Sequence, residues 1–196
     1  MKAYINVILL FITSSILAQE SMKDPLPYAV IPEVPESYTP GTVVSRMIDG
    51  LGFRYYWATE GLTQENMQYK PSEDGRTIEQ TMDHVYGLSR TIVNSAKKEP
   101  TDFTAEREEL SIEEKRKRTL ENFKIASDLF KATKDLSDHK IIFLRKNGQS
   151  EFPFWNHLNG PIEDAVWHAG QIVMMRRAAG NPFNSKVSLL AGKVRD

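Results

Sequence analysis

No cysteine occurs in the 196 residues of this chain. That absence excludes a cysteine nucleophile, a structural disulfide, a thiolate zinc site and an iron–sulfur cluster. It also suits a chain that leaves the cytoplasm, where an unpaired thiol is open to oxidation and wrong pairing. A surplus of either charge is missing as well. The 25 Lys and Arg stand against 26 Asp and Glu, a formal net charge of −1, and the signs are interspersed, so no basic surface argues for nucleic acid as a partner. Long apolar runs are absent but for one at the start, MKAYINVILLFITSSILAQE. An early lysine, an apolar stretch from Ile5 to about Leu17 and small residues near Ala18 give it the layout of a secretory signal peptide over 1–18, cleaved after Ala18. The stretch is shorter than the roughly 20 residues of a membrane span. The expected product is an exported protein, periplasmic or extracellular, with no stable span after processing. It also lacks a cysteine for lipid attachment.

Beyond Ala18 the chain is organised first by proline and then by helical periodicity. Residues 19–40 carry prolines at 25, 27, 32, 35 and 40, a spacing that forbids helix and predicts an extended leader lying along the domain or linking it to the cleavage point. From 41 to about 60 the pattern is helical, with Thr39 as cap, Pro40 in the first turn, and Val44, Met47, Ile48, Leu51, Tyr55, Ala58 and Leu62 at steps of three and four. Thr77 and Gln80 have capping-box spacing before a second helix at about 78–96, which Pro100 ends. Ser111 and Glu114 repeat the signature for a third helix, with Ile112, Leu120, Phe123, Ala126, Leu129 and Phe130 on its apolar side. The block EREELSIEEKRKR reads as a solvated helix face, with Glu113–Lys117 and Glu114–Arg118 spaced for ion pairs.

Two apolar runs flank Asn147 and Gly148, which predicts a hairpin of about 141–145 with 150–154 around a type I′ turn. A fourth helix starts at Asn159, Gly160 and Pro161 and runs through Arg177 to the stop at Gly180, Asn181 and Pro182. The expected fold is all-α: a four-helix bundle over 41–182 with a small hairpin between helices three and four, and then a C-terminal tail over 183–196. On the fourth helix Ile162, Val166, Ala169 and Val173 form the expected core face.

The same helix carries the pattern with chemistry in it. Asp164 and His168 stand four residues apart and share a face, continued by Gln171 and Met175. His84 sits at the margin of the apolar face of helix two. Two imidazoles and a carboxylate on one side of an ion leave other positions open for water or substrate, and iron, zinc, manganese or nickel accepts such donors. Each residue also has a plainer role: His84 and His168 as packing histidines, Asp164 as an acid stabilising a helix N-terminus. Glu163, turned about 100° from Asp164, reads as a helix-start acid. His139, in the polar turn LSDHK, reads as surface. His157 is near enough to the start of helix four to approach the crevice as a ligand or substrate contact. Arg176 and Arg177 can hold an anion or simply offset the dipole at a helix end.

The segments FPFWNHLNGPIEDAVWHAGQIVMMRRAAGNP, RTIEQTMDHVYGLSR and IDGLGFRYYWATEGL together resemble the DinB/YfiT-like superfamily of metalloenzymes, over nearly everything from about Thr42 to Pro182. That family places three histidines around a divalent metal, one on helix two and two spaced four apart on helix four. His84 matches the first and His168 the last, while Asp164 stands where the family has histidine. The resemblance implies metal-dependent transferase or isomerase chemistry in which the metal binds a small thiol, favours its thiolate and presents it to an electrophile. A signal peptide fits poorly with cytoplasmic thiols, so an exported member is expected to activate water or bind another ligand.

Two functions are compatible with these residues. One is a metal-dependent transferase or hydrolase acting on a small-molecule substrate, with His84, Asp164 and His168 as ligands and no general acid or base singled out. The other is a metal-free bundle binding a small apolar ligand or a partner protein in a crevice lined by Met174, Met175, Trp167, Tyr55 and Tyr56. Such bundles often pair, so a homodimer is an open expectation with no paired face indicated.

Overall fold

A computed structural model describes residues 25–106 and 108–196. The signal peptide expected over 1–18 and the leader's first part, 19–24, lie outside the described residues. Among those residues no helix is long and apolar enough to cross a membrane.

The fold is predominantly α-helical with two small β-sheets. Four long helices, α1 (Pro40–Thr59), α3 (Ile78–Lys97), α4 (Ile112–Lys131) and α6 (Glu163–Ala178), are joined by two short ones, α2 (Gln64–Met67) and α5 (Trp155–His157). α1 and α3 each pack against both α4 and α6. Ile48, Leu51, Met82, Ile92, Phe123 and Ile172 are fully buried or nearly so where they meet. Local chemistry sets the helix starts. Thr39 with Thr42, Thr77 with Gln80, and Ser111 with Glu114 close reciprocal capping boxes ahead of α1, α3 and α4, each satisfying two otherwise orphaned N–H groups.

The expected simple hairpin is part of a larger sheet. After Pro100 ends α3, Thr101–Asp102 (β1) runs parallel to β2 (Ile141–Arg145), which pairs antiparallel with β3 (Gly148–Phe152). β3 lies two residues earlier than expected, and Arg145 pairs with Gly148. Pro153 has no N–H to donate to a ladder, so the strand stops at Phe152. Residues 183–196, expected as a plain tail, fold back as a second small sheet, β4 (Val187–Ser188) with β5 (Lys193–Val194).

From Pro25 on, the proline-rich leader is bound to α1 by specific contacts. The Tyr28 hydroxyl donates to buried Asp49 Oδ1 at 3.1 Å, Trp57 Nε1 donates to the Ala29 carbonyl, and Arg46 donates to the Pro32 carbonyl. Burial, with Asp49 beside it, pushes the Tyr28 hydroxyl far above its ordinary pKa. A Cβ at Gly52 would stand 2.4 Å from the Tyr28 ring, so only glycine admits that ring. The Ile31 N–H donates to the Gly192 carbonyl, tying leader to C-terminal sheet.

Several sequence expectations require correction. The core face of α6 is Ile162, Ala165, Ala169 and Ile172, with Arg176, not the line through Val166, which is exposed. Arg176 is only 3 % exposed. Its guanidinium donates to the carbonyls of Trp57 and Ala58 at the end of α1 and to the carbonyl and side chain of Asn181. It is a buried helix cap rather than a surface charge or an anion holder; Arg177 is exposed. The pairs Glu113–Lys117 and Glu114–Arg118 are replaced: Glu114 turns back to the Ser111 N–H, Arg118 takes Glu108, and Lys117 takes Glu121. His139 is buried, donating from Nδ1 to the Ser95 carbonyl at 3.1 Å and packing on Phe130, because the turn folds back onto the end of α3.

Candidate metal centre

His84 lies near the start of α3, whose register is set by the Thr77 capping box and whose buried side is Ile78, Met82, Val85 and Ser89. That side packs against both α4 and α6, and His84 lies at the seam with α6. α6 begins after a wide turn, Leu158–Ile162, broken at Gly160 by non-helical dihedrals (φ −101°, ψ −109°). Asp164 falls in the first turn of α6, and His168 one turn on. The seam between α3 and α6 therefore gathers one side chain from the first helix and two from the second.

Their ligand atoms lie within 4.8 Å of one another. Asp164 reaches both rings, Oδ2 at 3.1 Å from His84 Nε2 and Oδ1 at 3.2 Å from His168 Nε2. The two rings meet edge to face with centroids 4.6 Å apart. Side-chain exposure is 34 % for His84, 38 % for Asp164 and 13 % for His168, so the cluster is sheltered on the helix side and open on the other. Asp83, next to His84 in sequence, is engaged by Lys115 at 2.7 Å and takes no part.

Gln171 decides which nitrogen of His168 faces the cluster. His168 Nδ1 lies 2.7 Å from Gln171 Oε1, and since that oxygen only accepts, Nδ1–H is the donor. With Nδ1 engaged this way, Nε2 is the ring nitrogen that faces Asp164 Oδ1. A proton on Nε2 or a metal ion between the two atoms satisfies this 3.2 Å contact equally. Fixing one ring nitrogen by a hydrogen bond so that the other is free to ligate is how metal-binding histidines are held. The separations suit an ion too: donors at about 2.0–2.2 Å from a common centre stand roughly 3.0–3.5 Å apart. The three residues are thus able to chelate a divalent metal.

The other two histidines stay out of the cluster. His139 is in the core against α3 and Phe130. His157, expected near the crevice, is fully buried, packed edge-on to Phe130 and tilted against Phe154, and neither ring nitrogen has a hydrogen-bond partner among the described residues. Burial above all pushes its pKa down to about 4, so it is a neutral core residue. Tyr55 and Tyr56 also fall elsewhere than expected. Tyr55 is buried against Phe123, and Tyr56 packs on Trp57 beneath Arg116.

Trp167, Met174 and Met175 do line a cleft, together with His168 and Gln171 of α6 and Pro71, Gly75 and Arg76 of the segment leading into α3. Its volume is 760 Å³, within the range of small-molecule sites. Gln171 as an orienting group and Arg76 as a cleft residue were not singled out from sequence. The first was legible in the three-residue step from His168; the second lay in a stretch that reads only as a turn. Compared with protein-family models, with curated proteins and with solved structures, the chain matches none.

Proposed function

We propose that this chain is a divalent-metal-dependent enzyme, a transferase or hydrolase, on a four-helix bundle of the DinB/YfiT-like type, with His84, Asp164 and His168 as the metal ligands. The observation that carries the proposal is Asp164, whose two oxygens stand 3.1 and 3.2 Å from the Nε2 atoms of two imidazoles on different helices. The motifs around His84 and His168 support the family assignment. The N-terminal segment supports export, which favours water over a cytoplasmic thiol as the group to be activated. The metal is zinc, nickel, iron or manganese, all compatible with two imidazoles and a carboxylate.

When bound, such an ion supplies Lewis acidity that favours the deprotonated form of a water or thiol held against it. The chain's own residues do the rest. Gln171 holds His168 in the tautomer that exposes Nε2. Asp164 spans both rings and fixes their separation. The cleft that His168 lines admits substrate beside it.

Metal analysis of untagged protein tests this. Wild type is expected to carry a stoichiometric divalent ion and His168→Ala to lose it; equal, negligible metal in both would end the proposal.

A further inference from the structure

The cleft beside His168 has a shape and a charge of its own. On α6, Trp167 and Met174 are 71 % and 64 % exposed, although large apolar side chains favour burial. Seven residues apart, they share a face of the helix. Gly170 lies between them, also exposed and also lining the cleft. A Cβ at Gly170 would meet nothing within 4 Å, and its φ is not in the left-handed region. Neither packing nor backbone conformation requires glycine there, and glycine in the middle of a helix is less favourable than alanine. What the missing side chain leaves is an open notch on the helix face between the exposed Trp167 and Met174, neither of which comes within 4 Å of where a Cβ would stand. Both present flat or polarizable surfaces to an aromatic body.

Arg76 faces the same cleft from the segment before α3 and is the one permanently charged residue among the described residues that line it. Among the described residues it forms no ion pair or side-chain hydrogen bond. It is solvent-exposed, and its planar guanidinium suits a carboxylate or similar oxyanion.

We propose that this cleft binds a small anionic substrate with a flat apolar body, the body seated over Gly170 between Trp167 and Met174 and the anionic group held by Arg76. The other end of such a molecule lies at His168. Only this last point rests on the metal-centre proposal; recognition by Gly170, Trp167, Met174 and Arg76 does not.

Naphthalene-2-carboxylate and its neutral carboxamide are the probes, titrated calorimetrically into the protein with and without added metal. Wild type should bind the carboxylate roughly fivefold to tenfold more tightly than the carboxamide. Arg76→Gln should abolish that preference and leave carboxamide affinity unchanged. Gly170→Leu, which fills the notch on an exposed helix face, should weaken both probes about tenfold or more while metal affinity stays at the wild-type value. The same pattern in metal-free protein supports the cleft even if no metal site exists. The proposal is overturned if neither probe binds at millimolar concentration, or if the preference survives Arg76→Gln and vanishes on metal removal. A concentration-dependent dimer that Trp167→Ser dissolves, without probe binding, also overturns it, since the apolar face would then serve a second copy of the chain.

Discussion

If His84, Asp164 and His168 hold a metal, the ion staples α3 to α6, and its loss should be read in global stability. Only the folded chain presents the three donors together: His84 and Asp164 are 80 residues apart and meet through the docking of two helices. A ligand that binds only the folded state stabilises it by RT ln(1 + [L]/Kd), about 2.7 kcal/mol at a hundredfold excess over Kd. For a domain of this size each kcal/mol moves the melting temperature by about 2–4 °C, so the expected rise is roughly 5–11 °C.

The assay is thermal unfolding monitored by circular dichroism, first after chelation and then across a titration with zinc, manganese, nickel and anaerobic ferrous ion. At least one ion should raise the midpoint with the logarithmic concentration dependence of linkage. Asp164→Ala should abolish the rise. Its own midpoint without metal should stay within a few degrees of the wild type, because a partly exposed carboxylate between two histidines contributes little as an ion pair. A concentration-independent midpoint, or an equal rise in the Asp164→Ala protein, would refute the reasoning. A rise that survives only in that variant would show that the ion binds elsewhere.

Arg176→Met should destabilise the protein by about 3–5 kcal/mol in urea unfolding, since it strips the carbonyls of Trp57 and Ala58 of buried donors; a loss below about 1 kcal/mol would count against its capping role. His157 gives a pH signature. Burial lowers its pKa from 6.5 to about 4, so between those values the unfolded chain binds more protons and stability falls as pH drops; between pH 7 and pH 4.5 this amounts to about 2.5 kcal/mol. His157→Leu should shrink the stability difference between those two pH values by that amount, and an unchanged difference would show that its ring reaches a partner or water.

Some of this was legible in the sequence because the cause is local. Thr39, Thr77 and Ser111 cap with partners three residues away, and Asp164 and His168 share a helix face by spacing alone. The failures have long-range causes. Arg176 looks like a surface charge until α1 is seen to end against it, with carbonyl partners 118 and 119 residues away. His139, in a turn of polar residues, is buried by α3. The Glu114–Arg118 spacing was right for a pair, but the Ser111 N–H competes for the same carboxylate and Glu108 is nearer to hand for the arginine. The meeting of His84 with the α6 pair depends on how two helices dock, which periodicity constrains only to a margin of the core face.

Asp164 had an ordinary alternative as an acid at a helix N-terminus, and the geometry weighs against that as its whole role. Glu163 occupies the same first turn and is exposed; a carboxylate there interacts with the helix dipole wherever it points. The dipole thus accounts for an acid in this turn without accounting for the aim of this one, which places a separate oxygen on each imidazole. The aim has a chemical consequence. If the cluster holds a divalent ion, two neutral imidazoles and one carboxylate leave it with a net charge of +1, where three imidazoles would leave +2. The oxygen donor is also harder than the nitrogen it replaces, which moves the set away from the softer ions and towards manganese or iron. A lower residual charge would lower Lewis acidity, so a metal held there would depend more on groups outside the cluster to keep the proposed anionic substrate in place. In the cleft proposal above that group is Arg76, which lines the same cleft as His168.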